Sequence, residues 1–296
     1  EPFADSSQIP TYFICQAARQ KVTVALSGDA GDELFGGYNR YFWSKRIWNK
    51  LAWLPLVARR LLGRGISLFP VDTWDAINYV LPSHYQNSNL GDKVHKMAHR
   101  LEQVKNLDDL YRNLVTIWQE GNNLVKHSNR LPTILDDANL VKNISESEQR
   151  MMFWDSLIYL PDDILTKVDR AAMGVSLETR VPFLDYRIAE LAWRLPLHMK
   201  IRDGQGKWAL RQVLYKYVPR DLIDRPKAGF GIPVGEWLRG PLRDWAEDLL
   251  NQERLESEGY LNSTLVNQTW RQHLGGRHDW SHHIWSVLMF QAWLKN

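Results

Sequence analysis

The chain has 296 residues, 44% of them hydrophobic and 24% charged, which is enough apolar content for one large domain or two modest ones. A formal net charge of +3 is too small to call for a nucleic-acid or membrane partner, although a local basic cluster could still hold a small polyanion. Cys15 is the single cysteine and excludes an internal disulfide, and no apolar run approaches the ~18 residues needed to cross a bilayer, so a soluble cytoplasmic protein is expected.

The opening EPFADSSQIPTY has no initiator Met and reads as part of something longer. Ser7 to Arg19 has helical spacing of apolar residues (Ile9, Tyr12, Phe13, Ala17), with Pro10 tolerated in the first turn. Val22 to Leu26 is the best strand, short and apolar like those a parallel sheet covers on both faces. Helices are then predicted at Trp43–Leu62 (basic, interrupted at Pro55), Thr73–Val80, Gly91–Val104, Leu107–Glu120 and Ser147–Leu160. Pro161-Asp162-Asp163 should break the chain and cap a further helix reaching about Met173. Tyr186–Arg194, Lys207–Tyr217, Pro241–Leu250, Thr264–Leu274 and Ser281–Leu294 complete the helical set. The loops Arg202–Gly206 and Arg225–Pro233 are rich in glycine and charge. One strand cannot form a sheet, so parallel neighbours are expected either outside this sequence or hidden within it.

Directly behind the strand, residues 26–38 read LSGDAGDELFGGY. Ligands of open parallel sheets sit beyond the carboxyl ends of strands, and Ser27-Gly28 lies at such an end. Small residues let backbone N–H groups approach an anion closely. Carboxylates repel phosphate unless Mg²⁺ intervenes, so Asp29, Asp32 and Glu33 beside a glycine turn suggest a nucleotide–magnesium site. The competing reading is an acidic helix N-terminus, with Asp32 and Glu33 complementing the dipole.

Two further segments, LPDDILTKVDRAAMGVSLETRVPFLD at 160–185 and RPKAGFGIP at 225–233, follow in order. Together with the first they resemble the synthetase domain of glutamine-dependent asparagine synthetases. That resemblance implies an α/β fold of the ATP-pyrophosphatase (adenine nucleotide α-hydrolase-like) type. This chain would be its predominantly helical C-terminal part, with a short remnant of parallel sheet. Residues 1–45 would end the nucleotide-binding region and 46–296 form the helical part. The glutaminase domain and the Ser-Gly-Gly-x-Asp-Ser phosphate loop are not found in the sequence, so the chain by itself is expected to be inactive.

The family attacks the α-phosphate of ATP with a substrate carboxylate, giving an acyl-adenylate and pyrophosphate. Ammonia from glutamine then displaces AMP. By resemblance, Ser27 and Gly28 contact the nucleotide, Asp32 holds Mg²⁺ and pyrophosphate, and Lys227 neutralises the leaving pyrophosphate. Asp29 stands where housekeeping asparagine synthetases carry Glu, and where β-lactam synthetases carry a catalytic Tyr paired with a Glu whose counterpart is Glu178. Ala30 replaces the usual Gly, which requires φ to stay negative. Aspartate is the implied acceptor, with a homodimer compatible. The rival readings are an amidotransferase acting on another carboxylate, such as a uronic acid in polysaccharide assembly, and a non-catalytic helical binding module.

The remaining features have plainer readings. Lys167, Asp169, Arg170, Arg180 and Asp185 suit structural ion pairs, and Cys15 suits core packing. His278, His282 and His283 with Asp279 lack the further ligand motif of a zinc site. The Lys45–Arg64 helix, with Trp48, Leu51 and Leu54, reads as the solvated face of a core helix in preference to a membrane surface.

Overall fold

Val24–Leu26 forms strand β1, and its parallel partner β2 is Glu178–Arg180, with Val24 level with Glu178 and Leu26 with Arg180. The sheet therefore has two strands among the described residues. The second strand escapes sequence reading because Glu-Thr-Arg carries no apolar run. Nor is β1 covered on both faces: Val22, Val24 and Leu26 are exposed, Leu26 by 77%. The computed structural model describes residues 1–80, 90–118, 121–128, 131–224, 231–276 and 278–295.

In chain order the helices are α1 (Gln8–Arg19), α2 (Gly31–Phe35), α3 (Asn39–Leu51), α4 (Leu56–Ser67), α5 (Val71–Val80), α6 (Leu90–Gln103) and α7 (Leu107–Val115). After α8 (Gly121–Leu124) come α9 (Ser147–Trp154), a π-helical stretch Asp155–Leu165, and α10 (Thr166–Met173). Then follow α11 (Tyr186–Arg194), α12 (Leu197–Lys200), α13 (Trp208–Leu214), α14 (Arg220–Ile223) and α15 (Val234–Arg239). The chain closes with α16 (Arg243–Leu249), α17 (Gln252–Glu258), α18 (Ser263–Leu274) and α19 (Ser281–Lys295). The helical, small-sheet character matches the sequence reading. No helix among the described residues is long and apolar enough to cross a membrane.

Local chemistry accounts for several boundaries. Pro55 lacks an N–H and stands just before the first residue of α4, so the basic segment splits there as expected. Asn106 caps α7 by accepting from the amide of Asp109 at 2.8 Å, while Thr116 turns extended and ends the helix short of the predicted Glu120. The predicted break at Pro161 does not occur. Helix α9 runs through Pro161 in π geometry into α10, so Asp162 and Asp163 cap nothing. Bonding from i to i+5 is wider than an α-turn, and Thr166 Oγ1 donates back to the Pro161 carbonyl at 2.9 Å.

The chain divides into two compact units. One comprises Asp5–Ile47 and Pro132–Ile232, the other Glu1–Ala4, Trp48–Leu131 and Pro233–Asn296. In the first, Ala30, Leu34, Phe35, Leu160, Ile164 and Ala192 form a buried cluster, and Cys15, Ala172 and Leu177 form another where α1 meets α10. In the second, α4 lies against α6 so closely that a Cβ on Gly63 would meet the Ala98 carbonyl at 2.7 Å. Leu238, Ala246, Leu255, Val266, Ile284 and Leu288 are buried there on α15 to α19.

Candidate active site

Strand β1 delivers Ser27 to its carboxyl end, where the Ser27 amide donates to the Arg180 carbonyl at 2.8 Å and extends the β1–β2 ladder by one bond. The chain then turns sharply. Ser27 Oγ donates to the Asp29 carboxylate, so these two sequence-predicted residues are brought together. A Cβ built on Gly28 meets nothing within 4 Å, so the backbone at this strand end is open to a ligand.

Ala30 differs from expectation. Its φ is +65°, left-handed, where a negative value was required of a non-glycine residue. The strain, roughly 1 kcal/mol, is tolerated because the methyl is 1% exposed and packs in the Leu34–Phe35–Ile164 cluster. The left-handed residue starts α2, whose first turn carries Asp32 and Glu33. The acidic helix start is therefore present, and it borders an open strand end.

The two acids separate by environment. Glu33 is 1% exposed, accepts from Tyr38 Oη at 2.6 Å, and burial raises its pKa despite that bond. Asp32 is about one-third exposed, and Lys207 Nζ lies 2.7 Å from its Oδ2. The glycines after α2 make this possible: a Cβ on Gly37 would fall 1.9 Å from Asp32 Oδ1. Lys207 is held in turn by its own amide, which donates to the Phe35 carbonyl at 2.9 Å.

Lys207 is the residue that sequence reading missed. Its signal is present in Gly204-Gln205-Gly206-Lys207, a glycine-rich turn delivering a cation to a helix start, where periodicity alone marks it only as the first residue of the predicted Lys207–Tyr217 helix. Lys227, the sequence-predicted lysine, lies outside the described residues. Glu178 is not brought to the strand end. It is level with Val24, which sets it about 10 Å along the strands from Ser27, and it pairs with Arg180 on the exposed face. Asp185 caps α11 through the Arg187 amide at 2.9 Å, a structural role as expected.

A polar layer lies behind the acids. Asp155 is fully buried and accepts from Arg40 Nε at 2.9 Å and Tyr41 Oη at 2.5 Å. The Arg40 guanidinium sits 4.2 Å from the Tyr38 ring centre and 4.6 Å from that of Tyr159. Further along, Lys167 Nζ binds Asp5 Oδ2 at 2.8 Å and Ser7 Oγ at 2.9 Å. Burial would raise the Asp5 pKa, but Lys167 and Ser7 outweigh it and hold the carboxyl low. Neighbouring Asp163 is pushed up to about 6 by burial and by Asp5.

The family model for asparagine synthase matches residues 1–295. The chain belongs to the asparagine synthase family. A protein of Bacillus subtilis named asparagine synthetase [glutamine-hydrolyzing] 1 is 29% identical over 99% of this chain, covering 43% of its own length. A putative asparagine synthetase [glutamine-hydrolyzing] of Mycobacterium bovis is 30% identical over 99% of the chain and 42% of its own. A short match, 63% over 38 residues, links the chain to a putative asparagine synthetase of Methanocaldococcus jannaschii. The chain thus spans less than half the length of these curated relatives. Membership in the family agrees with the resemblance read from the three sequence motifs.

Proposed function

We propose that this chain is the C-terminal portion of a glutamine-hydrolysing asparagine synthetase, a carbon–nitrogen ligase using ATP and ammonia to convert aspartate to asparagine. The observation that carries the reading is the Asp32–Lys207 pair beside the open Ser27-Gly28 turn, in a chain matched along its length by this family. In the parent α/β fold the nucleotide would lie beyond the strand end, its phosphates reached by the Gly28 backbone.

The chemistry asks for two things here. The aspartate carboxylate oxygen bonds to the α-phosphorus as the bond to pyrophosphate breaks, and negative charge grows on the leaving group. A fixed cation at that place lowers the barrier, and Lys207 is preorganised by its partner Asp32 and by its own backbone bond. Magnesium, where bound, would share this neutralisation, with Asp32 as its protein ligand. A carboxylate about one-third exposed fits that role, because it lies one residue from buried Glu33 yet keeps its own access to solvent. In the second step ammonia bonds to the acyl carbon, AMP leaves and the nitrogen must lose a proton. Asp29, fixed by Ser27, is the carboxylate nearest the strand end to orient ammonia or take that proton. Lys227, in the segment RPKAGFGIP, supplies a second cation by resemblance.

ATP–pyrophosphate exchange in the product of the complete reading frame tests the assignment. Asp32→Asn should abolish exchange and leave glutamine hydrolysis largely intact. Lys207→Ala should slow exchange by about 10²–10³, since one preorganised donor at a developing anion is worth that much. Normal exchange in Lys207→Ala with loss in Lys227→Ala would return the role to Lys227 alone.

A further inference from the structure

The segment from Leu34 to Val71 contains no Asp or Glu, yet carries Arg40, Lys45, Arg46, Lys50, Arg59, Arg60 and Arg64. Within it, α4 spends one face on the fold. Arg59 is buried and donates to the Val104 carbonyl at 2.8 Å, and Gly63 lies against α6. The opposite face holds Val57, Leu61 and Leu68, at helical spacing, exposed by 68%, 64% and 82%. Trp53, just before the helix, is 76% exposed, with its indole N–H already bonded to the Lys50 carbonyl at 2.8 Å. Phe69 extends the same apolar patch beyond the helix end. Lys50 and Arg60 flank it, Arg64 lies within it three residues after Leu61, and Arg60 Nε donates to the Glu102 carbonyl at 3.3 Å; none of the three forms a salt bridge among the described residues.

We propose that this outer face of α4 is a peripheral docking surface for an anionic lipid bilayer. A core helix would bury these side chains, and a merely solvated face would not concentrate a tryptophan, a phenylalanine and three large aliphatics. An aromatic–aliphatic strip with one arginine within it and another on its margin matches the interface of a bilayer, where the rings lie at headgroup depth and long guanidinium side chains reach up to phosphate. Net positive charge without a single acid chooses the anionic bilayer over a second copy of the same face, which would repel itself. Each cation held near such a surface strengthens partitioning by about fivefold. The binding is reversible adsorption, not insertion.

Flotation of the complete gene product with lipid vesicles decides it. Binding is expected to phosphatidylcholine vesicles containing a quarter phosphatidylglycerol, about a hundredfold weaker to pure phosphatidylcholine, and weaker as salt rises. Val57→Glu/Leu61→Glu and, separately, Arg60→Glu/Arg64→Glu should each cut binding by at least about tenfold. These sites are exposed, and retained ATP–pyrophosphate exchange reports that each variant is folded. No binding to anionic vesicles, equal binding to both lipids, or unchanged binding by Val57→Glu/Leu61→Glu overturns the proposal. So does a concentration-dependent dimer in sedimentation velocity that Val57→Glu/Leu61→Glu abolishes, because the face would then belong to a second copy.

Discussion

Lys200 ends α12 with its side chain fully buried and its Nζ without a hydrogen-bond partner among the described residues, 4.6 Å from the Trp193 ring centre. The ring face offsets part of the cost of desolvating an ammonium, but burial still lowers the pKa to about 8 from 10.5. The unfolded chain therefore binds more protons than the folded one between pH 8 and 10.5, and stability rises with pH across that window. Below pH 8 the penalty is present in full, on the order of 3 kcal/mol. Lys200→Met should accordingly raise the urea midpoint at pH 7, with the gain shrinking toward pH 10. A loss of stability at pH 7 would show that the ammonium is serving the fold through Trp193. Nothing in the sequence marks this lysine. It sits in Leu-His-Met-Lys like a surface residue, and only the tertiary contact with Trp193 makes it unusual.

Asp155, Tyr159, Asp163 and Lys167 recur every four residues through the π-helical stretch and into α10. In an α-helix that spacing drifts around the axis, whereas the wider π-turn keeps it closer to one line. The line faces two short segments. Arg40 and Tyr41 meet its Asp155 end, and Asp5 and Ser7 meet its Lys167 end. Helical spacing makes several elements legible: α1, α11, α18 and α19 fall within a residue of expectation. The π stretch was not legible, because proline followed by two acids is also the signature of a helix start. Two ends anchored by ion pairs should hold the register whether or not proline is present. Pro161→Ala should then change unfolding free energy by less than about 1 kcal/mol, since it restores one amide and removes a ring. Asp155→Ala should cost about 3–5 kcal/mol by leaving the Arg40 charge without its buried partner. Denaturant unfolding of the two variants separates the cases. A larger loss from Pro161→Ala would mean that proline itself imposes the π geometry.

Across the molecule, the candidate site is legible where its residues are close in sequence and illegible where they are not. Ser27, Gly28, Asp29 and Asp32 fall within six residues and stand at one strand end, as glycines and acids behind a β-branched run suggest. Lys207 is 175 residues from Asp32 and becomes visible only when the two loops meet. The two-stranded sheet explains why the strand itself was misjudged. Parallel pairs of three residues are marginal alone, and Val22, Val24 and Leu26 stay exposed. The Ser27 amide faces β2, so by alternation the amides of Val24 and Leu26 point to the outer edge, where no strand pairs with them among the described residues. An open apolar edge of this kind is a template for another strand. In dilute solution of the 296-residue chain, hydrogen exchange at Val24 and Leu26 should run near the rate of an unstructured peptide, while Ala25 and Ser27 are slower. Supplying a further strand should slow exchange at Val24 and Leu26 selectively, whether the strand comes from a longer reading frame or from a second copy at high concentration. Slow exchange of these two amides in the dilute chain would mean that the edge is already covered, and the sheet would then have to be more than the two strands that carry Ser27 and Arg180.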